Sequence, residues 1–416
     1  MHDKAKRGID RRQLLAATMA AAAVPAAARA AGPSVPDADF RIAPGAVLLN
    51  NAGTHPLYAP AADAVQRYLG YKQSGVFPPD FPLFGIVEGP RANFARLINA
   101  DPAEIAVTQS TSMGENLIVN GLGLPGCGGN IVTDDLHHEG SLYMYRSLAG
   151  RDLEIRVAKP RDWRISLDDL DRLIDRQTRL VAISFVSWIN GFEHDLKAVC
   201  DLAHSRGALV YVDMIQGLGM VPVDVKAAGV DFCAAATYKW LMGDCGVAFL
   251  YVRSDLQERV KRSQWGFMQF SDMTYHAFPG DAPGDEVAEF DIWPGARGRY
   301  EVGTPSFAAI VAADKALEYV VGRGVEAINA KVRPLATRLQ DALPRHGYIP
   351  MTPREGRSPI VSFLVPDPAA VRERLGKANI QARLWGRQLR ISPAIHNTPD
   401  DIEQIIEVLG SATTAG

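Results

Sequence analysis

Short, near-continuous apolar stretches alternate with longer amphipathic stretches through the middle of this 416-residue chain. The apolar stretches have the composition of strands that are covered on both faces. These strands are predicted at residues 105–107, 130–133, 180–185, 208–212, 232–236 and 247–252. Helices with one apolar face are predicted between them, at residues 113–122, 141–148 and 196–205. The pattern predicts an α/β fold in which helices cover both faces of a mostly parallel sheet.

Further helices flank this alternating region. They are predicted at residues 61–71, 87–98, 305–321, 335–343, 369–375 and 399–409, with one more strand at 360–364. A stretch rich in glycine and proline, residues 278–298, is predicted to be a loop near a domain junction. The chain exceeds one ordinary hydrophobic core. We therefore predict a large domain over residues 32–300, and a long helix followed by a small C-terminal α/β domain over 301–416.

The N-terminus has the pattern of an export signal. Basic residues precede an apolar run at residues 14–24, and Ala28-Arg29-Ala30 offers a cleavage site between small residues. The run is shorter than the roughly 20 apolar residues that span a bilayer. Arg11-Arg12 before this run resembles a twin-arginine signal, with a generic secretory signal as the alternative. We predict a signal peptide over residues 1–31, export by the twin-arginine machinery, a periplasmic mature protein and no stable membrane association.

Composition excludes some classes of function. The chain is 47% hydrophobic and 22% charged with a formal net charge of −3, which is the profile of a globular protein without a basic surface for nucleic acid. Its four cysteines are widely spaced, with neither a CxxC pair nor a metal-binding spacing. No metal site and no nucleic-acid partner are predicted.

Two residues at predicted strand ends carry candidate chemistry. Lys239 follows the strand at 232–236, and Asp213 follows the strand at 208–212. Ligands of parallel sheets bind beyond the carboxyl ends of the strands. A lysine there can hold the aldehyde of pyridoxal 5'-phosphate (PLP) as a Schiff base, and a carboxylate can keep the pyridine nitrogen protonated. The pair favours a PLP site over a surface lysine and a turn-capping aspartate.

A family resemblance rests on a set of short motifs. Asp213, Gln216, Thr237-Tyr238-Lys239 and Gly303-Thr304-Pro305 together resemble the class V aminotransferase family, over roughly residues 46–410. The family includes cysteine desulfurases and isopenicillin-N-epimerase-like enzymes. The resemblance implies a PLP-dependent transferase fold of type I, with a seven-stranded sheet in the large domain and a small C-terminal α/β domain. It also implies an amino-acid-type substrate and a homodimer with shared active sites.

The resemblance implies roles around the cofactor ring and phosphate. Lys239 matches the Schiff-base lysine, Asp213 the partner of the pyridine nitrogen, and Gln216 the contact to the phenolic oxygen. Thr111 and Ser112 match the segment that holds the phosphate. Their position before a predicted helix suits an anion, although an ordinary helix cap is the alternative reading.

Other matches concern the surroundings of the ring. Thr237 keeps the hydroxyl of a phosphate-binding serine, while Tyr238 replaces a histidine and can donate one hydrogen bond. His137 matches the histidine that stacks on the pyridine ring, with the neighbouring His138 as the alternative. Thr304 matches a residue that reaches the phosphate in the other subunit.

At the substrate end, Arg390 matches the arginine that clamps the α-carboxylate, a task suited to its planar fork. Desulfurases carry a nucleophilic cysteine on a loop shortly before this arginine. The segment 383–390 has no cysteine and no room for such a loop. Cys245 lies in a turn after Lys239, and Trp188 stands where desulfurases often have asparagine. A persulfide-forming desulfurase is therefore disfavoured.

The resulting hypothesis is an exported, dimeric PLP enzyme that forms an external aldimine with an amino-acid-type substrate and reacts at its α carbon. Epimerisation, elimination, transamination and decarboxylation remain open. Export suggests tailoring of a periplasmic amino-acid-derived compound, similar in habit to the periplasmic PLP enzyme that modifies pyoverdine siderophores. The alternatives are a C–S lyase without the usual cysteine and a catalytically inactive PLP-binding protein.

Overall fold

The structure, a computed structural model, describes residues 39–82, 85–150, 152–275 and 288–410. The predicted signal peptide lies outside these described residues. The strands are β1 (Val47–Leu48), β2 (Ile105–Thr108), β3 (Asn130–Asp134), β4 (Glu154–Ala158), β5 (Thr178–Ser184), β6 (Leu209–Asp213), β7 (Phe232–Ala236), β8 (Ala248–Val252), β9 (Phe270–Tyr275), β10 (Ala288–Ile292), β11 (Ile349–Pro350), β12 (Val361–Leu364), β13 (Ile380–Gln381), β14 (Arg383–Trp385) and β15 (Gln388–Ile391). The α-helices are α1 (Ala59–Ser74), α2 (Glu88–Leu97), α3 (Thr111–Gly121), α4 (Glu139–Leu148), α5 (Leu167–Asp171), α6 (Leu196–Ser205), α7 (Val225–Ala228), α8 (Arg297–Tyr300), α9 (Phe307–Arg323), α10 (Val325–Ala342), α11 (Pro368–Lys377) and α12 (Pro399–Gly410).

The large domain is built on a seven-stranded sheet with the order β2-β8-β7-β6-β5-β3-β4. All neighbouring pairs are parallel except those made by β8, which is antiparallel to both β7 and β2. Helices α3 and α4 pack on one face, and α2, α6 and α9 pack on the other. The predicted α/β fold with a mostly parallel seven-stranded sheet is confirmed. The carboxyl ends of β5, β6 and β7 lie side by side, at Ser184, Asp213 and Ala236.

The prediction missed β4 for a physical reason. This strand lies at the edge of the sheet, where it pairs with β3 alone. Its sequence mixes charged and apolar residues, and most of its residues are only partly buried. An edge strand that is not covered on both faces lacks the continuous apolar run on which the prediction relied.

The small domain contains an antiparallel sheet with the order β11-β12-β15-β14, covered by α10, α11 and α12. Two features differ from the predicted boundaries. Val47 and Leu49 belong to the core of this small domain, because β1 pairs with β13. Helix α9, the long helix that was predicted after the boundary at residue 300, packs its apolar face into the large core. The two domains are therefore joined by chain segments that cross between them.

Part of the stretch 278–298, which was predicted to be a loop, forms secondary structure. Strand β10 pairs antiparallel with β9, and α8 follows it, whereas residues 276–287 lie outside the described residues. Among the described helices, none has both the length and the apolar composition needed to cross a bilayer.

Candidate active site

A cavity opens at the carboxyl ends of the central strands, between the start of α3 and the turn after β7. Several of the residues singled out from the sequence line it together. They are Thr111, Ser112, His138, Asp213, Tyr238 and Lys239. These residues are far apart along the chain and meet because the strands that carry them are neighbours in the sheet.

Lys239 lies in a tight turn directly after β7. Its carbonyl accepts the amide of Met242 (2.9 Å), and Met242 adopts a left-handed conformation with φ of 59°. Gly243 then passes so close to Thr237 that a Cβ there would lie 2.8 Å from the threonine Cβ. This close approach requires glycine and directs the chain away after the lysine. The turn thus holds Lys239 at the floor of the cavity.

The ammonium group of Lys239 is buried, and it makes no hydrogen bond or ion pair with any described residue. Burial lowers the pKa of Lys239 to about 8. The negative charge of Asp213 opposes this shift, and the positive charge of Arg390 adds to it. Nζ lies 5.6 Å from the ring centroid of Tyr238. A lysine with such a pKa supplies a neutral amine near physiological pH, which is what nucleophilic attack on a carbonyl carbon requires.

Asp213 is the last residue of β6 and is buried. Its Oδ1 accepts a hydrogen bond from the amide of Ile215 (2.9 Å), and Oδ2 makes none with the described residues. Burial raises the pKa of Asp213, while the positive charge of His137 opposes that rise. The carboxylate therefore keeps one oxygen for a protonated nitrogen of a ligand in the cavity.

His137 takes part in a buried polar network beneath the cavity. Its Nε2 lies 3.3 Å from Oε1 of Glu115, and its Nδ1 lies 2.7 Å from Oγ of Ser184. Glu115 also accepts hydrogen bonds from the hydroxyls of Ser141 (2.5 Å) and Tyr145 (2.7 Å). Burial disfavours both charges, but the pairing outweighs it: the pKa of Glu115 is lowered and that of His137 is raised. The two side chains form an ion pair that links α3 to the segment between β3 and α4, and the contact of His137 with Ser184 extends the network to β5.

His138, the alternative to His137, is the histidine that lines the cavity. It caps α4, because its Nδ1 accepts the amide of Gly140 (3.1 Å). Burial lowers the pKa of His138, so the ring is neutral and Nδ1 is free to accept. Its ring meets that of Trp188 edge to face, with centroids 6.2 Å apart. The geometry thus distinguishes two adjacent histidines that the sequence left equivalent.

The start of α3 forms the opposite end of the cavity. Ser110 caps the helix by accepting the amide of Met113 (3.1 Å). Thr111 Oγ1 accepts the amide of Ala236 (3.0 Å), which ties the helix to the end of β7. The first amides of a helix attract anions. An amine, a carboxylate and a helix N-terminus therefore surround one cavity, and they complement the aldehyde, the ring nitrogen and the phosphate of PLP.

Three predicted cofactor contacts lie elsewhere. Thr237 is fully buried, and its hydroxyl donates to the carbonyl of Asp244 (2.7 Å), so it holds the turn after β7. Gln216 donates to the carbonyl of Ala52 (3.0 Å) and accepts from the indole of Trp240 (2.9 Å). Thr304 is exposed and is not among the residues that line the cavity. Thr237 and Gln216 therefore do not line the cavity as the resemblance implied, whereas the resemblance places Thr304 at the cavity of a second subunit.

Arg390 lies on β15 and is almost fully buried. Its Nη1 donates to the carbonyl of Trp188 (2.8 Å) and its Nη2 to Oδ1 of Asn50 (3.1 Å), while Nε is buried without a partner among the described residues. Burial, together with the charge of Arg383, lowers the pKa of Arg390 to about 9, so the guanidinium stays charged at neutral pH. An unpaired donor on a buried cation suits a carboxylate ligand.

A tight hairpin occupies the segment before Arg390. Strands β14 and β15 form a hairpin joined by only Gly386 and Arg387, with Trp385 opposite Gln388. All four cysteines are free; Cys127 and Cys245 are exposed, and the other two are buried. Burial and the neighbouring Asp244 raise the pKa of Cys245, which makes it a poor nucleophile.

Sequence reasoning missed Glu115. A single glutamate on the apolar side of α3 belongs to no motif, and its partners come from α4 and from the segment before it. The signal that was available is physical: an acidic residue in a helix face that is otherwise buried must find charged or polar partners.

Comparison with known proteins places the chain among relatives of similar architecture. The family described as Aminotransferase class-V matches residues 47–405. An uncharacterized aminotransferase, YcbU, of Bacillus subtilis (strain 168) is 27% identical over 325 residues, 78% of this chain and 83% of that protein. A cysteine desulfurase of Klebsiella pneumoniae is 32% identical over 263 residues, 62% of this chain. The match spans only 61% of the desulfurase.

Solved structures share the fold. The apo cysteine desulfurase from Thermococcus onnurineus NA1 superposes with a TM-score of 0.77 at 23% identity, covering 92% of this chain and 99% of the other. The cystine C-S lyase C-DES, in complex with cysteine persulfide, gives a TM-score of 0.76 at 21% identity, covering 87% and 97%. The family match extends over nearly all of the described chain. This protein therefore belongs to the class V aminotransferase family and is a PLP-dependent enzyme.

Proposed function

We propose that this enzyme breaks a bond at the α carbon of an amino-acid-type substrate whose α-carboxylate is bound by Arg390. The observation that carries the proposal is the buried Nε of Arg390, which has no partner in the part of the chain that the structure describes, although the rest of the guanidinium is anchored. Arg390 bonds to the carbonyl of Trp188, whose ring contacts His138, and His138 lines the cavity together with Lys239. A carboxylate at Arg390 would place the amino-acid α carbon close to the lysine.

When bound, PLP supplies an electron sink that stabilises negative charge at the α carbon. Lys239, once it is released from the cofactor, is the residue that takes and returns the proton there. Its pKa of about 8 suits both directions of transfer near neutral pH. Asp213 would hold the proton on the ring nitrogen, and the start of α3 would bind the phosphate.

A second candidate is C–S bond cleavage without a protein persulfide. The tight β14–β15 hairpin favours it over a cysteine-dependent desulfurase, because no cysteine lies on that hairpin. Sulfide release from L-cysteine would survive replacement of all four cysteines if this candidate is correct. Loss of release in the cysteine-free protein would rule it out.

Export and dimerisation extend the proposal. The signal-like N-terminus supports a periplasmic enzyme, and an exported enzyme would tailor an amino-acid-derived compound such as a siderophore. The exposed position of Thr304 leaves it available to the active site of a second subunit. Cell fractionation with an Arg11→Lys/Arg12→Lys variant tests export; recovery of both proteins only in the cytoplasm would overturn it.

The central proposal is tested by visible-absorbance titration of the PLP-loaded enzyme with a panel of amino acids. Wild type should show spectral changes with a subset of them. Arg390→Lys should weaken this response at least tenfold, because a lysine loses the bidentate fork. Arg338→Lys, an exposed arginine paired with Glu403, is the matched control and should respond as wild type does. An unchanged response in Arg390→Lys would refute the carboxylate assignment.

A further inference from the structure

Arg383 lies directly opposite Arg390 in the β14–β15 hairpin. Side chains of directly opposed residues leave the sheet on the same face, with Cβ atoms about 5 Å apart. Like charges in this arrangement destabilise a sheet. The structure therefore brings two guanidinium groups together where folding alone would favour a neutral or opposite pair.

Two indole rings hold Arg383 in position. Its guanidinium carbon lies 4.5 Å from the ring centroid of Trp188 and 5.2 Å from that of Trp385. The two indoles have centroids 6.2 Å apart and an interplanar angle of 29°. Stacking of this kind orients a guanidinium while it leaves the N–H donors free, since the rings accept none of them as hydrogen bonds.

No hydrogen bond or ion pair of the Arg383 side chain occurs within the described parts of the chain. Burial lowers the pKa of Arg383, with Glu139 the one acidic residue whose charge opposes that effect. Glu139 is exposed at the start of α4, so it is well hydrated. By contrast, the exposed Arg357 forms an ion pair with Glu193 (2.5 Å). Arg383 is thus an oriented, half-buried cation whose donors are unused.

Its position connects it to the active site. Arg383 stacks against Trp188. The carbonyl of Trp188 accepts a hydrogen bond from Arg390, and its ring contacts the ring of His138. His138 lines the cavity that contains Lys239. Arg383 and Arg390 therefore lie on one wall beside the cavity.

We propose that Arg383 binds a second negatively charged group of the substrate, so that the preferred substrate is an amino acid with an acidic side chain. The inference rests on the proposed function, in which Arg390 binds the α-carboxylate. Two arginines on opposed residues match two carboxylates separated by a short chain, as in aspartate or glutamate. Trp188 and Trp385 position the Arg383 guanidinium and exclude water from one side of it.

The test uses isothermal calorimetry of the PLP-loaded enzyme with glutarate and with its monoamide, neither of which has an amine that could react with the cofactor. Wild type should bind glutarate at least tenfold more tightly than the monoamide, because a charge-assisted pair is lost with the second carboxylate. Arg383→Gln should abolish this preference, and Arg383→Lys should retain part of it. Arg387→Gln, which removes the same charge from the exposed turn of the hairpin, should leave it unchanged.

The outcomes separate the two proposals. Equal glutarate affinity in wild type and Arg383→Gln would overturn the second site alone. Unchanged affinity of Arg390→Lys for both probes would instead overturn the α-carboxylate site. Absence of glutarate binding to the wild-type enzyme at millimolar concentration would overturn both.

Discussion

Arg390 donates a hydrogen bond to the carbonyl of Trp188 at 2.8 Å, so the proposed carboxylate-binding residue also joins the two domains. The next carbonyl, that of Ile189, accepts from Ser362 Oγ (2.6 Å) and from Gln388 Nε2 (2.5 Å). Ser362 lies directly opposite Arg390 on the neighbouring strand. The small-domain sheet therefore positions its arginine by binding the main chain of the large domain.

Ser362→Ala should weaken substrate binding several-fold without removing any substrate contact. The loss of one buried hydrogen bond should also lower the free energy of unfolding by about 1 kcal/mol. Denaturant unfolding and amino-acid titration measure the two effects. Thr337→Ala removes an exposed hydroxyl that bonds within α10 and is the control. Identical amino-acid affinity in Ser362→Ala and wild type would show that the hydrogen bond from Ser362 to Ile189 does not position Arg390.

Glu115→Gln should destabilise the protein by about 3 kcal/mol or more, because it leaves a buried, protonated His137 without its counter-charge. Urea denaturation at neutral pH gives this difference in unfolding free energy. Glu373→Gln, which breaks the exposed pair with Lys377, should cost far less, because solvent screens that pair. Comparable losses in the two variants would mean that the buried pair contributes no more than a surface pair.

Covalent attachment of PLP to the apo-protein should accelerate by about tenfold between pH 7 and pH 9. The reason is that the neutral fraction of Lys239 rises as the pH passes its pKa of about 8. The rate is followed by absorbance and by borohydride trapping of the adduct. Lys239→Ala should give no trapped adduct at any pH. A rate for wild type that does not change over this range would contradict the lowered pKa.

The buried rings of His55 and His396, with centroids 5.2 Å apart, should make stability depend on pH. Burial lowers the pKa of His55 to about 3, with His396 contributing, and that of His396 to about 4. Below the unfolded value of about 6.5, the unfolded chain binds more protons than the native state does. Stability is thus fully present above pH 6.5 and falls as the pH is lowered.

His396→Phe tests this dependence. Between pH 7 and pH 5, wild type should lose about 2 kcal/mol more unfolding free energy than the variant, because the variant has one fewer histidine to protonate on unfolding. Denaturation at the two pH values gives both losses. Parallel losses in the two proteins would show that His396 is not held neutral by burial.

Much of the fold could be predicted because it is encoded locally. Helix α6 and strand β7 were predicted with the bounds that the structure shows. Helix α6 is apolar on one face, and strand β7 is apolar on both faces. Each pattern can be recognised from residues that are close together in the sequence. Lys239 and Asp213 were found for the same reason, since each follows a strand whose end the pattern marks. The edge strand β4 was missed because it is not covered on both faces, so its sequence lacks a continuous apolar run.

The sequence by itself determined the central strands other than β4, the long helices, their order, and the strand ends at which chemistry could occur. Only the tertiary structure decided which side chains turn toward the cavity. Gln216 bonds to Ala52, which is 164 residues away, and Arg390 bonds to Trp188 at a separation of 202. It also placed His138, rather than His137, on the wall of the cavity and placed Arg383 opposite Arg390. Periodicity specifies the face of an element, but the partner across that face comes from distant segments whose approach is set by packing of the whole chain.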